Sequence, residues 1–229
     1  TGAKNLALAG GVALNCVANG RIFKENIFDK IWIQPAAGDA GTAIGAALLA
    51  HYEISASKRV PVIDDSMKGA YLGPAFGNKF IKKFLNSNNI KFSSLEDEQL
   101  FEELALHLEE GKIIGWFNGP MEFGPRALGG RSIIGDPRNI KMQKIMNLKI
   151  KYRESFRPFA PSILEEEVNN QFEFNCKSPY MLFVAKVKEE LCFKMNSKEE
   201  NLFGIDKLNI KRSTIPSVTH IDYSARIQT

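Results

Sequence analysis

The stretch MEFGPRALGGRS, residues 121–132, decides how the chain is interpreted, because it fits neither a regular helix nor a regular strand. Its glycines and its proline interrupt both kinds of element. It also carries two arginines, Arg126 and Arg131, and one acid, Glu122. We therefore interpret it as a shaped loop that directs guanidinium groups toward a ligand.

Arginine is concentrated around this loop. Five of the nine arginines in the chain fall between residues 126 and 157, namely Arg126, Arg131, Arg138, Arg153 and Arg157. A guanidinium is a rigid fork that binds phosphate or carboxylate through two hydrogen bonds. Glycine and proline around it let backbone N–H groups approach an anion closely. The pattern predicts an oxyanion pocket for a small phosphorylated ligand.

A second interpretation of the arginines stays open. Several of them could simply form ion pairs with nearby acids such as Glu122, Asp136, Glu154 and the acids at 165–167. For any single arginine, a structural ion pair and a ligand contact are about equally compatible with the sequence. The pocket is predicted from the cluster as a whole.

The composition limits the function classes. The chain has 229 residues, 44% hydrophobic and 24% charged, which is typical of a folded globular protein. A net charge of +4 is mild, and regularly spaced base-stacking aromatics are missing, so nucleic acid is a disfavoured partner. Three cysteines show no CxxC pairing, which indicates a reducing, cytoplasmic compartment. No apolar run is long enough to predict a membrane span.

The apolar patterns predict an α/β fold with two regions. Strands are expected at 5–9 and in KIWIQPA, and helices in VALNCVANGRIFKEN (broken or stopped near Asn19–Gly20) and AGDAGTAIGAALLAHY. A linker is predicted at 56–66. After it we expect two amphipathic helices, GNKFIKKFLNSNN and EDEQLFEELALHLEEG, and strands in KIIGWF and at 178–187. Residues 188–213 are expected to form an exposed excursion.

The residues of the first region have two interpretations each. The Gly10–Gly11 turn after the first strand could cradle a phosphate, or could be only a turn. Asp39 begins a helix, so it is either an N-cap or a metal ligand. The three histidines, His51, His107 and His220, have no metal-ligand spacing.

Several motifs occur together in the order of one family. They are LALAGGVALNCVANGRI, PAAGDAGTAIGAAL, YLGPAF, GWFNGPMEFGPRALGGRSIIGDPRN, YRESFRPFAPSIL, SPYMLFV and IPSVTHIDYSARIQT. The chain resembles the O-carbamoyltransferases of the nodulation-factor and antibiotic-tailoring type, over nearly its whole length. Hydrogenase-maturation and tRNA threonylcarbamoyl-transfer proteins resemble it more distantly.

The resemblance implies two modules. Residues 1–55, the first module, would be the end of an actin/Hsp-seventy-like ATPase-fold domain that transfers the carbamoyl group. Residues 67–229, the second module, would be a YrdC-like α/β (α+β) domain, truncated at its C-terminus, that activates the group. By the chemistry of the family, carbamoyl phosphate and ATP give a carbamoyl-adenylate. The carbamoyl group then passes to a hydroxyl of a small-molecule or sugar acceptor, beside a divalent metal, usually iron and otherwise magnesium.

The resemblance also assigns roles to residues. The expected ligands of carbamoyl phosphate and ATP are Arg126, Arg131, Ser132, Arg153, Arg157 and Arg226, of which Arg126, Arg131 and Arg157 are the expected catalytic residues. Nucleotide contacts are expected from Gly10, Gly11 and Asn15. Asp39 matches the family's metal-ligand aspartate.

The chain departs from the family pattern at several points. Pro120 stands where the family usually has Arg, and Gly130 where it has Asn. The upstream His-x-x-x-His metal pair and the downstream NTSFN-like segment are absent, so we expect a fragment of a longer enzyme. The alternative to a carbamoyltransferase is a nucleotide- or RNA-binding module of YrdC-like fold without transfer activity.

Overall fold

The first module contains alternating strands and helices. The computed structural model describes residues 2–62 and 64–229, so Ile63 of the predicted linker and Thr1 lie outside the described residues. The elements are β1 (Asn5–Leu8), α1 (Cys16–Lys24), β2 (Lys30–Ile33) and α2 (Asp39–Ser55). β1 and β2 pair in parallel, with Asn5 opposite Lys30 and Leu8 opposite Ile33. The predicted strand-helix-strand-helix order is confirmed.

Helix α1 is neither broken nor stopped where the sequence predicted. It continues through Asn19 and Gly20 to Lys24. The buried Asn19 amide donates hydrogen bonds to the carbonyls of Ala13 (2.8 Å) and Leu182 (3.1 Å). A Cβ on Gly20 would lie 2.7 Å from the carbonyl oxygen of Val184. The pair therefore allows close packing of the helix on a strand of the second module, and it does not end the helix.

The second module consists of short elements. They are α3 (Asn78–Ser87), α4 (Asp97–Glu109), β3 (Ile114–Phe117), β4 (Arg131–Ile134), α5 (Met142–Ile145), α6 (Val168–Gln171), β5 (Phe183–Lys186), α7 (Ser197–Glu200), α8 (Gly204–Leu208) and β6 (Ser224–Ile227). β3 pairs with β4 and β5 with β6, both antiparallel. The fold is thus mixed α/β with small sheets.

Two sequence predictions in this module need correction. The strand expected from residue 178 begins only at Phe183, because residues 179–180 form a turn and Met181 has a φ of 53°. The excursion expected to be exposed through residue 213 ends in buried positions. Arg212 and Ser213 are fully buried, and Cys192 forms a β-bridge with Ser213 that closes the excursion.

The two modules share their hydrophobic cores. One cluster is built around Phe172, Ala185 and Ile227, and Phe23 of α1 packs against it. The Phe23 ring lies 5.3 Å from that of Phe174, measured between centroids. A second cluster joins Ala13, Ile33 and Ala37 of the first module to Leu182 of the second. Burial of apolar surface therefore holds residues 1–55 against the rest of the chain.

Candidate functional site

The loop that joins β3 to β4 contains the arginine motif and is organised by Glu122. One carboxylate oxygen of Glu122 accepts hydrogen bonds from the backbone N–H groups of Leu128 (2.8 Å), Gly130 (2.6 Å) and Arg131 (3.2 Å). Burial alone would raise the pKa of Glu122, but these donors outweigh it and hold the pKa below its usual value. Glu122 is thus an internal anion that shapes the loop, and it does not pair with an arginine as one interpretation proposed.

Glycines permit the loop to turn. Gly124 and Gly129 have φ values of +121° and +114°, which side-chain-bearing residues rarely adopt. A Cβ on Gly124 would lie 3.1 Å from the Cβ of Ala36 in the first module. Gly129 lies against the hydroxyl of Tyr71, which donates to the Leu128 carbonyl at 2.6 Å. The loop is fixed from both modules.

The two positions that depart from the family pattern lie next to each other. A Cβ on Gly130 would lie 2.7 Å from the carbonyl oxygen of Pro120 and 3.1 Å from the Glu122 carboxylate. A larger residue at 130 would therefore require the backbone at 120 to move. The two departures from the family pattern, Pro120 and Gly130, are therefore compatible with each other, because the backbone at 120 occupies the space that a side chain at 130 would need.

Arg126 points from the loop toward the first module. One terminal nitrogen of its guanidinium donates to the Leu14 carbonyl at 3.0 Å, and its Nε is buried without a partner. Burial lowers the pKa of Arg126, and the positive charge of Arg226 lowers it further, whereas Cys16 opposes the shift. The contact of Gln228 with the Leu128 carbonyl likewise places the end of β6, where Arg226 lies, beside the motif loop that carries Arg126. Like charges at such a site repel each other.

Arg226 lies on β6, opposite Val184 of β5. Its strand neighbours Ala225 and Ile227 are completely buried in the core, so Arg226 projects from the other face of the sheet. Its Nε is buried without a partner, and within residues 2–62 and 64–229 no ion pair or hydrogen bond holds its guanidinium. Arg126 and Arg226 thus bring two positive charges together, neither paired with a carboxylate in the described part of the chain.

Arg131 and Ser132 stabilise the end of the loop. The Arg131 guanidinium lies 3.5 Å above the Phe117 ring centroid and donates to the Gly119 and Gly130 carbonyls at 3.1 and 2.8 Å. The Ser132 hydroxyl accepts a hydrogen bond from the Gly129 N–H at 3.0 Å. Both side chains therefore hold the loop in shape in this structure.

The remaining predicted arginines lie on a separate loop after α5. Arg153 donates to the Asn147 side chain at 2.6 Å and lies over the Phe159 ring. Arg157 forms an exposed ion pair with Glu154 at 3.0 Å. The buried Asn147 amide donates to the Arg157 carbonyl at 2.8 Å and so anchors this loop. Within the described part of the chain, neither Arg153 nor Arg157 contacts Arg126.

The first-module candidates lie at helix starts. Gly10 has a φ of 88° in the turn after β1. The Asn15 side chain caps α1 by accepting a hydrogen bond from the Ala18 N–H at 3.1 Å. Asp39 is the exposed first residue of α2, and its carboxylate makes no capping bond. Among the residues that the structure describes, no three His, Cys, Asp or Glu side chains gather into a metal-binding group.

Some residues that shape the site were not expected from the sequence. The sequence predicts Glu122 only as an ion-pair partner for arginine. Its position within a glycine-rich loop is the feature that could have indicated bonds to backbone N–H groups. The Gln228 side chain donates to the Leu128 carbonyl at 2.9 Å and connects β6 to the motif loop. Gln143, which donates to the Phe156 and Arg157 carbonyls, had no sequence signal.

Comparison with known proteins defines the family. The chain matches the family model "Carbamoyltransferase C-terminus" over residues 105–229 and the model "Carbamoyltransferase N-terminus" over residues 1–48. The chain therefore belongs to the carbamoyltransferase family, as the motifs predicted.

Individual relatives match along the whole chain. It is 58% identical over 230 residues to an uncharacterized protein of Synechocystis, covering 100% of this chain and 37% of that protein. It is 37% identical to the nodulation protein NolO of Bradyrhizobium diazoefficiens, covering 100% of this chain and 38% of that protein. It is 33% identical to the nodulation protein U of Rhizobium fredii, again over 100% of this chain and 33% of that protein.

These comparisons cover only part of the relatives. The chain spans between 33% and 38% of the length of these three proteins. Within the described residues, no helix has both the length and the apolar character needed to cross a membrane.

Proposed function

We propose that this chain contributes the carbamoyl-activating site of an O-carbamoyltransferase. The substrates are carbamoyl phosphate and ATP, the intermediate is a carbamoyl-adenylate, and the acceptor is a hydroxyl of a small molecule or sugar. Membership of the carbamoyltransferase family supports carbamoyl transfer in general. The observation that carries the proposal is the pair formed by Arg126 and Arg226, two half-buried guanidinium groups to which no described residue offers a carboxylate.

The charge of this pair suits an anionic ligand. Two like charges in a partly buried site repel each other, and a phosphate between them would relieve that repulsion and supply the missing hydrogen-bond acceptors. Arginine stays protonated even when burial lowers its pKa, so the pair keeps its charge at neutral pH. The same charges would stabilise the negative charge that develops as phosphate or pyrophosphate departs.

The proposed reaction consists of three steps. Water converts carbamoyl phosphate to carbamate and inorganic phosphate. A carbamate oxygen then attacks the α-phosphorus of ATP, and pyrophosphate leaves as the mixed anhydride forms. The acceptor hydroxyl attacks the carbamoyl carbon, loses its proton, and AMP leaves. Arg126 and Arg226 are proposed to hold the phosphates during the first two steps.

The other candidates have supporting roles in this proposal. Arg131 and Ser132 keep the loop in shape, because their polar atoms are already occupied by the protein. Arg153 and Arg157 each use Nε for a protein acceptor, Asn147 and Glu154 respectively, and these contacts fix the position of their guanidinium groups. Gly10, Gly11 and Asn15 are proposed to line the nucleotide site of the first module.

The described residues do not by themselves complete the metal site that the family resemblance implies. Asp39 offers one carboxylate, whereas a transition-metal site requires several ligands, typically including histidine. No described cluster supplies the others. Asp39 therefore remains a proposed single ligand of iron or magnesium, and no step above depends on it.

The test is carbamoyl-phosphate-dependent exchange of labelled pyrophosphate into ATP, measured on the full-length protein that contains this chain. We expect exchange in the wild type, strong loss in Arg126→Met, and retention in Arg138→Met, whose side chain is exposed and paired with Asp136. Absence of exchange in the wild type, with ATP still bound, would favour a nucleotide-binding module. Equal loss in both variants would refute the role of the arginine pair.

A further inference from the structure

Two consecutive helices carry opposite charge. Residues 67–95 contain five lysines and no acid, whereas residues 96–110 contain seven acids and neither lysine nor arginine. α3 lies in the first segment and α4 in the second. Such a separation of charge within a chain of mild net charge indicates a specific surface, because solubility requires only mixed charges.

The outer face of α3 is aromatic and cationic. Ile81 and Leu85 are half-buried on its inner side, whereas Phe80 and Phe84 remain 56% and 53% exposed. The Phe76 ring stacks on that of Phe80 at 5.2 Å between centroids, which extends the row of rings. Lys79 and Lys83 lie one residue before Phe80 and Phe84 and therefore form a parallel stripe along the helix.

The outer face of α4 is apolar and anionic. Leu100 and Leu104 are half-buried on its inner side, whereas Phe101 and Leu106 remain 56% and 60% exposed. Glu98 and Glu102 are spaced one helical turn apart, and Leu106 continues their stripe. α4 therefore presents exposed apolar side chains next to acids, as α3 presents exposed apolar side chains next to lysines.

The two faces do not neutralise each other within one chain. In the part of the chain that the structure describes, no ion pair joins a lysine of α3 to an acid of α4. Both segments nevertheless reach β3: Phe76, which precedes α3 and begins its aromatic row, stacks against Phe117 of that strand, and α4 packs on the same strand. The two complementary faces are thus in one region of the surface and both lack a partner.

We propose that this surface binds a second copy of the chain, with α3 of each copy packed against α4 of the other. A two-fold axis would satisfy both contacts at once and close the assembly at two copies. Each contact would cover exposed phenyl rings and place Lys79 and Lys83 opposite Glu98 and Glu102. The seven acids next to the aromatic row argue against a nucleic acid or an anionic membrane as the occupant, because both would be repelled. This inference does not depend on the proposed function.

Exchange of the charges provides the test, with analytical ultracentrifugation at low salt as the measurement. The wild-type full-length protein that contains this chain should sediment with twice the mass of one subunit. Lys79→Glu/Lys83→Glu and Glu98→Lys/Glu102→Lys should each raise the dissociation constant of the dimer by at least about tenfold, because like charges then face each other. An equimolar mixture of the two variants should form a heterodimer, since each reversed face then meets its complement.

A control variant has the same change in net charge as the lysine reversal. Lys58→Glu/Arg59→Glu alters two exposed cations outside the helices and should leave the dimer intact. A monomeric wild type would overturn the proposal, and so would a dimer that neither reversal weakens. Circular dichroism of each variant establishes that it is folded. The mass of the wild type decides the matter even if a variant does not fold.

Discussion

Arg126 and Arg138 belong to the same arginine-rich stretch but differ in their partners. Arg138 donates two hydrogen bonds to Asp136, at 2.9 and 3.0 Å, and is largely exposed. Among the described residues, Arg126 has only the Leu14 carbonyl as an acceptor, and a second cation lies nearby. At the scale of single residues, the lack of a carboxylate partner among the described residues distinguishes the arginine proposed to bind ligand from a structural one.

The first prediction concerns this distinction. Arg126→Lys and Arg226→Lys keep the charge but lose the planar fork, so each should weaken carbamoyl phosphate binding by about 1–3 kcal/mol, the value of a charge-assisted hydrogen bond. Arg138→Lys should leave binding unchanged. Isothermal titration calorimetry on the three variants measures the effect. Equal affinities in all three would contradict the assignment.

The second prediction concerns Glu122. Its pKa is lower in the folded chain than the ordinary value of about 4.3, so its contribution to stability is complete above that value and is lost as the pH falls through the folded pKa. Glu122→Gln should therefore destabilise the fold by about 1–3 kcal/mol at pH 7. It should also flatten the decline in melting temperature below about pH 5.

Thermal unfolding across pH checks this prediction, with Glu154→Gln as the control because that carboxylate lies on the surface in an exposed pair. A variant as stable as the wild type at neutral pH would mean that the three N–H donors find other acceptors. An unchanged acid slope would mean that other carboxylates dominate it.

The sequence identified candidate site residues but not the groups that each of them contacts. The glycine–proline frame and the arginine density indicated an anion-binding loop, and family motifs indicated Arg226. The proximity of Arg226 to Arg126 could not be predicted, because it depends on how β6 lies relative to the motif loop. For the same reason, local spacing did not show that Glu122 binds backbone N–H groups while Arg157 pairs with Glu154.

At the scale of elements, the segment before α3 is fixed by a polar contact with the turn before β5. The Tyr180 hydroxyl donates a short hydrogen bond to the Asp65 carboxylate and accepts one from the Gly69 N–H at 3.1 Å. Burial raises the pKa of Tyr180, and the Asp65 carboxylate raises it further. Tyr180 also packs against the core cluster that joins both modules. One side chain therefore connects the linker, the turn and the shared core.

The third prediction follows from this contact. Tyr180→Phe keeps the ring in the core but leaves Asp65 without its hydroxyl donor, so the linker should open more often. Trypsin cleavage after Lys58 or Arg59 should accelerate severalfold, while the melting temperature falls only slightly. Tyr52→Phe, at the end of α2, is the matched control. Unchanged cleavage in Tyr180→Phe would show that the linker is held by other contacts.

Periodicity predicted the longer elements and gave no prediction for the short elements β4, β6 and α5 to α8. It failed where tertiary contacts decide. α3 and α4 show clear helical spacing and were located correctly. Asn19 and Gly20 favour turns, and the sequence therefore predicts a break or stop in the helix there. In the structure the Asn19 amide instead donates to the Leu182 carbonyl, and the absence of a side chain at Gly20 lets the Val184 carbonyl lie close to the helix. The late start of β5 has a similar cause, since residues 178–181 turn to bring Tyr180 to the linker.

At the scale of the whole molecule, the sequence indicated an α/β chain of two regions but not how they adhere. The contacts between them use Ala13 and Phe23, which had no distinguishing signal along the chain. Which apolar residue meets which can be known only from the folded arrangement. The same is true of α2, whose apolar side chains remain exposed in this structure. The helix carries few charged residues, so its sequence does not indicate what would pack against that face.

The shared cores have a consequence for the covalent continuity of the chain. If burial around Phe23 and the Asn19 hydrogen bonds hold the modules together, the peptide bonds of the linker are dispensable for their association. Two separately produced pieces, residues 1–60 and 61–229, should therefore reassemble when coexpressed and copurify through a tag on either one. Asn19→Leu should abolish this complementation, because it removes the donor to the Leu182 carbonyl, and recovery of only the tagged piece from the wild-type pair would contradict it. The covalent linker would then ensure that the two parts are synthesised together in equal amounts, while contacts between their side chains determine that they associate.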